Sequence, residues 1–227
     1  MSAPQREASV LIPAGDVTLV GVLDLPLQPA GVVVFSHGSG SGRYSPRNRF
    51  VAAQLRQAGL ATLLLDLLIP VEEQDYATRF DIDLLTERLG YAVRFVRTYP
   101  LSRELPVGLF GASTGAAAAL RVAAALSNGV RAVVSRGGRP DLAEEAALAR
   151  VIAPTLLIVG GRDSGVIELN EAGRDALVCC ECELAIVPGA THLFEESGAL
   201  EEVARLAGQW FTRHLTSIPT RLERAHQ

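Results

Sequence analysis

The chain has 227 residues, 48% of them hydrophobic and 20% charged, with a net charge of −4; this fits one soluble globular domain and excludes a disordered chain. So mild a charge offers no basic field for nucleic acid or an anionic membrane, and neither partner is expected. All 21 basic residues are arginine, which excludes Schiff-base and pyridoxal chemistry and the phosphate-binding lysine of a P-loop.

In chain order, MSAPQREASV has no apolar core of signal-peptide length. ASVLIP and VTLVGVLDLP read as an antiparallel pair turning at Ala14-Gly15-Asp16. GVVVFSH (31–37) is a buried strand running into glycines, and PRNRFVAAQLRQAG has helical spacing closed by Gly59. LATLLLDLL (60–68) is a second apolar run, too short to span a bilayer and interrupted by Asp66. A cytoplasmic protein is therefore expected. IPVEEQDYATRFD (69–81) is the best candidate for a small mobile flap, and 81–99 is a helix ending before Pro100.

VGLFG (107–111) is a strand feeding an alanine-rich helix that Gly129 ends. VRAVVS (130–135) is the next strand, DLAEEAALARV a helix, and APTLLIVGG (153–161) a strand. IELNEAGRDALV is a helix, ELAIVPG (183–189) the last strand, and 200–215 the closing helix, followed by a polar tail at 216–227. Strands alternating with helices predict an α/β fold, a mostly parallel sheet with helices on both faces. Insertions are short, so no large lid domain is expected. Cys179, Cys180 and Cys182 are odd in number and crowded, which argues against a disulfide framework. CCEC lacks a second ligand cluster, so no metal is expected and the thiols are read as buried or half-buried.

The strongest chemical signal is Gly111-Ala112-Ser113-Thr114-Gly115. As a bare G-x-S-x-G pattern it is weak, but it joins a strand to a helix, the setting of a nucleophile elbow. The competing reading, a glycine-bounded turn with an N-cap serine, is much the poorer one. A serine hydroxyl needs a base. His226 lies in the tail, His214 on the last helix and His37 at the head of a glycine loop, whereas His192 follows a strand and a Pro-Gly turn. A carboxylate must then orient the base, and Asp163 stands just past a strand's carboxyl end, between serine and histidine in chain order. Asp66 precedes the serine and is read as structural, Asp141 as a helix N-cap, and Glu195 and Glu196 as a solvated helix start.

The loop His37–Arg43 should add an oxyanion-hole N–H from Ser39 or Gly40 to that of Thr114. Its GSGSG lacks the spacing of a phosphate or dinucleotide cradle. Arg136 and Arg139 flank a Gly-Gly turn in SRGGRPD, and with Arg43 they are candidates to hold a carboxylate or phosphate on the substrate. The competing reading, slightly favoured for Arg136 and Arg139, has them tying loops through Asp141 or Asp66.

FSHGSGSGR, GLFGASTGAAAAL, SRGGRPDLA, PTLLIVGGRD and VPGATHLF together resemble the dienelactone hydrolase branch of the α/β-hydrolase superfamily over nearly the whole chain. SRGGRPDL also resembles small hydrolases, some of them joined to a phosphoribosyltransferase-like domain, for which 227 residues leave no room. Dienelactone hydrolases proper carry a cysteine nucleophile, whereas Ser113 stands here, so the resemblance implies fold and triad but not the lactone substrate. The expectation is a cofactor-free serine esterase acting on small esters, with Ser113 as nucleophile, His192 as base and Asp163 orienting it. A thioesterase or peptidase with the same triad, or a non-catalytic binding module, is the alternative. Whether it is a monomer or a homodimer is left open.

Overall fold

Each strand of the central sheet feeds two cores at once. In the strand Val32–Ser36, Val32 and Val34 join one apolar cluster while Val33 and Phe35 join the other. Such period-two division is what a sheet covered on both faces demands. A computed structural model describes residues 6–216; residues 217–227 of the polar tail, including His226, lie outside the described residues.

The strands are β1 (Arg6–Ala14), β2 (Val17–Leu25), β3 (Val32–Ser36), β4 (Ala61–Leu65), β5 (Val107–Ala112), β6 (Ala132–Arg136), β7 (Thr155–Gly160) and β8 (Cys182–Val187). Their spatial order is β1-β2-β4-β3-β5-β6-β7-β8. β1 pairs antiparallel with β2, and β2 with β4; every other pairing is parallel. The initial hairpin turns on two residues, Gly15-Asp16, with Gly15 at φ +67° as such turns require. The chain moves from β3 out to β4 and then returns to the other side of β3 as β5. That reversal is the switch point where ligand sites of open parallel sheets form.

One face carries α1 (Pro46–Gln57) and α7 (Ala199–Leu215), which bury Leu55, Trp210 and Phe211 with the sheet's Phe35 and Phe110. The rings of Phe35 and Phe110 lie 4.9 Å apart. The other face carries α3 (Ile82–Thr98) and α4 (Thr114–Ala125). Ala116, Ala117, Ala118 and Ala119 of α4 are all buried, the small side chains letting this helix press against the sheet.

All six strands expected from Gly31 onward form, and the mixed, mostly parallel sheet with helices on both faces is that of the α/β-hydrolase fold. Several local readings need correction. The helix expected over 141–151 is a 3₁₀ turn, Pro140–Ala143, followed by the four-residue α5 (Glu145–Leu148), because Glu144 between them adopts φ +69°. Asp141 is not an N-cap; it lies inside that turn and binds Arg139. α6 (Ser164–Ala176) begins three residues earlier than its apolar spacing suggested. The segment 69–81 forms α2 (Pro70–Gln74) and a 3₁₀ turn, held by side chains. Glu72 accepts from Ile69 N–H and from Arg88, and Asp75 accepts from Thr78 N–H. Of the free cysteines, Cys180 and Cys182 are half-buried but Cys179 is exposed; burial pushes the Cys182 thiol up to about 12.

Candidate active site

Ser113 sits between β5 and α4 at φ +51° and ψ −123°, a backbone conformation that costs a non-glycine residue of order 1–3 kcal/mol and persists only where the surroundings enforce it. The surroundings here are small residues. A Cβ on Gly115 would collide with the carbonyl oxygens of Ser36 and His37, and one on Gly111 would lie 2.9 Å from the Ala116 nitrogen. The turn after β6 grips the same elbow: Ser113 N–H donates to the Arg136 carbonyl at 3.2 Å, and Arg139 N–H donates to the Ser113 carbonyl at 3.3 Å.

Asp163 occupies the N-cap position of α6 yet makes no side-chain cap to that helix. Its Oδ2 instead accepts from His192 Nδ1 at 2.6 Å. Nδ1 thus holds the proton, leaving Nε2 as the lone-pair nitrogen in neutral imidazole. Gly137, at φ +50°, supports the ring from below: a Cβ there would stand 3.4 Å from His192 Cε1. A Cβ on Gly38 would stand 3.0 Å from Ser113 Cβ. Ser113 is therefore packed against the loop that leaves β3, and His192 against the turn that leaves β6, the two strands flanking β5. Glu195 and Glu196, expected as a solvated helix start, lie in the loop before α7, Glu195 exposed. Glu196 accepts from Thr191 N–H at 3.1 Å, hydrogen bonding to the Thr191 side chain and then to this N–H lowers its pKa, and Glu195 pairs with Arg47 at 3.0 Å.

The other described histidines have different duties. His214 packs on Trp210, whose indole donates to the Pro154 carbonyl, at the opposite end of the sheet. His37 is 4% exposed, with Nδ1 on the Gly38 carbonyl at 3.0 Å and Nε2 accepting from Leu67 N–H at 3.0 Å. Both nitrogens are used, so His37 locks the glycine loop rather than serving as a base. Ser39 N–H in that loop donates to Thr114 Oγ1 at 3.2 Å, while Gly40 stands exposed at φ +68°. Thr114 opens α4, so its N–H has no acceptor within the helix.

Burial is the main cause that lowers the His37 pKa below its ordinary 6.5. Between the depressed folded value and 6.5 the unfolded chain binds more protons, so this residue's stabilising contribution is full above 6.5 and declines as pH falls through that window. Thermal melts at stepped pH should show an acid-side loss of stability below 6.5 that His37→Gln reduces.

Of the three candidate arginines, Arg43 is bound to Asp66 through its N–H (2.7 Å) and its guanidinium. Arg139 is held by Asp141 through two bonds, 2.9 and 2.7 Å. Arg136 is buried at the end of β6.

No family model matches the chain. It is 57% identical over 212 residues to two Mycobacterium tuberculosis proteins that carry phosphoribosyl transferase as a provisional name; the match covers 93% of this chain. The chain spans about half the length of these curated relatives, 47%. A dienelactone hydrolase from Anabaena variabilis is 53% identical, with a TM-score of 0.90 over 93% of this chain and 99% of that one. An esterase from Pyrococcus furiosus, 17% identical with a TM-score of 0.73 over 92% and 93% of the two chains, shares the fold. No helix among the described residues is long and apolar enough to cross a membrane. With the elbow at the switch point and a 53% identical relative matched end to end, the chain belongs to the dienelactone hydrolase family of α/β-hydrolases.

Proposed function

We propose that the protein is a serine hydrolase of small esters, working through Ser113, His192 and Asp163. The observation that carries this reading is the 2.6 Å bond from His192 Nδ1 to Asp163, taken together with a serine held at φ +51° between β5 and α4. Ser113 Oγ attacks the ester carbonyl while His192 Nε2 takes its proton. The N–H of Thr114 and one from the Ser39-Gly40 turn receive the negative oxygen; His192 then returns the proton to the departing alcohol. Water attacks the acyl-enzyme, its proton passing to His192, and the acid leaves as Ser113 is reprotonated. Asp163 holds the imidazole's orientation in both halves. Small substrates are favoured because α2 and its neighbouring turn are short and pinned, leaving no large lid to shield a long chain.

The transferase name of the mycobacterial relatives is read as belonging to the part of those proteins outside the match, since the matched part has a hydrolase fold.

Hydrolysis of 4-nitrophenyl acetate, butyrate and octanoate should proceed with kcat/KM falling as the chain lengthens. A fluorophosphonate should label Ser113, and matched thioester and anilide substrates would rank the bond types. No turnover together with no labelling would sink the assignment.

A further inference from the structure

Two of the three arginines near the site are spent on carboxylates, Arg43 on Asp66 and Arg139 on Asp141. Arg136 is not. It is 8% exposed, and its Nε and Nη1 are buried with no hydrogen-bond partner. No carboxylate among the described residues forms an ion pair with it; Glu195, across the loop, is taken by Arg47. The ring against it offers a weak cation–π attraction but no hydrogen-bond acceptor, and the charge acting on it from nearby is another cation. The Phe194 ring lies 5.9 Å from its guanidinium, and Arg47 is a second cation whose own Nε is buried and unpaired. Burial, then Arg47, pushes the Arg136 guanidinium down to about 10, so it still carries its charge at neutral pH.

A buried cation without a counter-charge is costly, and arginine supplies donors in a fixed fork suited to oxygen anions. We infer that Arg136 and Arg47 form a binding site for a small oxyanion, of the carboxylate or phosphate class, beneath the loop that carries His192. Position makes the site consequential. The Arg136 carbonyl holds the Ser113 N–H, the next residue packs on the His192 ring, and Phe194 is two residues past that histidine. The anion is either free in solution or a charged group on the ester. The second source rests on the hydrolase reading above; the first does not.

Two arms separate these sources. In the first, inorganic phosphate is titrated into the wild type and Ser113→Ala, read by melting temperature and calorimetry. Saturable binding is expected, abolished in Arg136→Met, retained in part in Arg136→Lys and weakened in Arg47→Gln. In the second, 4-nitrophenyl glutarate is compared with neutral 4-nitrophenyl butyrate. A charge-assisted contact predicts a preference for the anionic ester of about 10–100-fold, expressed mainly in KM and erased in Arg136→Met. Phosphate binding without that preference assigns the site to a free anion; preference without phosphate binding assigns it to the substrate. Should Arg136→Met fail to fold, the half-exposed Arg47→Gln carries both arms. Failure of both, with only a general salt effect shared by all variants, overturns the inference. An absence of ester turnover would sink the hydrolase reading while the phosphate arm still decided this one.

Discussion

Ser113→Ala should cut kcat/KM on 4-nitrophenyl acetate by on the order of 10⁴–10⁶-fold and abolish fluorophosphonate labelling, with the fold intact. The hydroxyl is the only group removed. The elbow that holds it is built from backbone and glycine contacts at Gly111, Gly115 and Gly38, none of which involves Oγ. Alanine meets the same left-handed strain as serine, so the melting temperature should change little. A variant that lost activity by unfolding would show the reverse, a large thermal shift. A variant that kept more than a tenth of its activity would place the nucleophile elsewhere.

Asp163→Asn should cost about 10⁴-fold in kcat, again without loss of stability. An amide nitrogen facing His192 would force Nδ1 to become the acceptor and put the proton on Nε2, where Ser113 needs a lone pair. The side chain does not cap α6, so the helix loses nothing by the exchange. Circular dichroism melts beside single-turnover kinetics would separate these effects. A rate within tenfold of wild type would mean that Asp163 does not orient the base.

The three residues proposed as the triad are legible because each stands in a recognisable local setting. Small residues around Ser113 require a tight strand-to-helix turn, VPGATH turns at Gly189, and LLIVGGRD ends a strand. The sheet was legible for a similar reason, since buried parallel strands read as unbroken apolar runs. What escaped was long-range or conformational. DLAEEAALARV has a helix's composition, but the left-handed Glu144 splits it, and nothing in the periodicity encodes that. The fates of the arginines were equally hidden. Arg43 and Asp66 are 23 residues apart in sequence, and Arg139 pairs with Asp141 in the turn past β6 whereas Arg136 ends the strand itself and is buried. Asp163 was assigned its role by position in the chain, yet a carboxylate just before α6 is also what a helix start prefers; only the geometry tells that His192 receives it.

The proposed nucleophile and base hang from parts of the sheet with very different support. Ser113 follows β5, which has strands on both sides, whereas His192 follows β8, the edge strand, most of whose residues are half-buried or exposed. Parting β8 from β7 would carry the base away and leave the elbow where it stands. On the proposed mechanism, the cooperative unit whose opening would stop catalysis is thus smaller than the one whose opening unfolds the chain. Catalytic competence and foldedness would then be separate equilibria, the first set by how firmly one outer strand stays zipped.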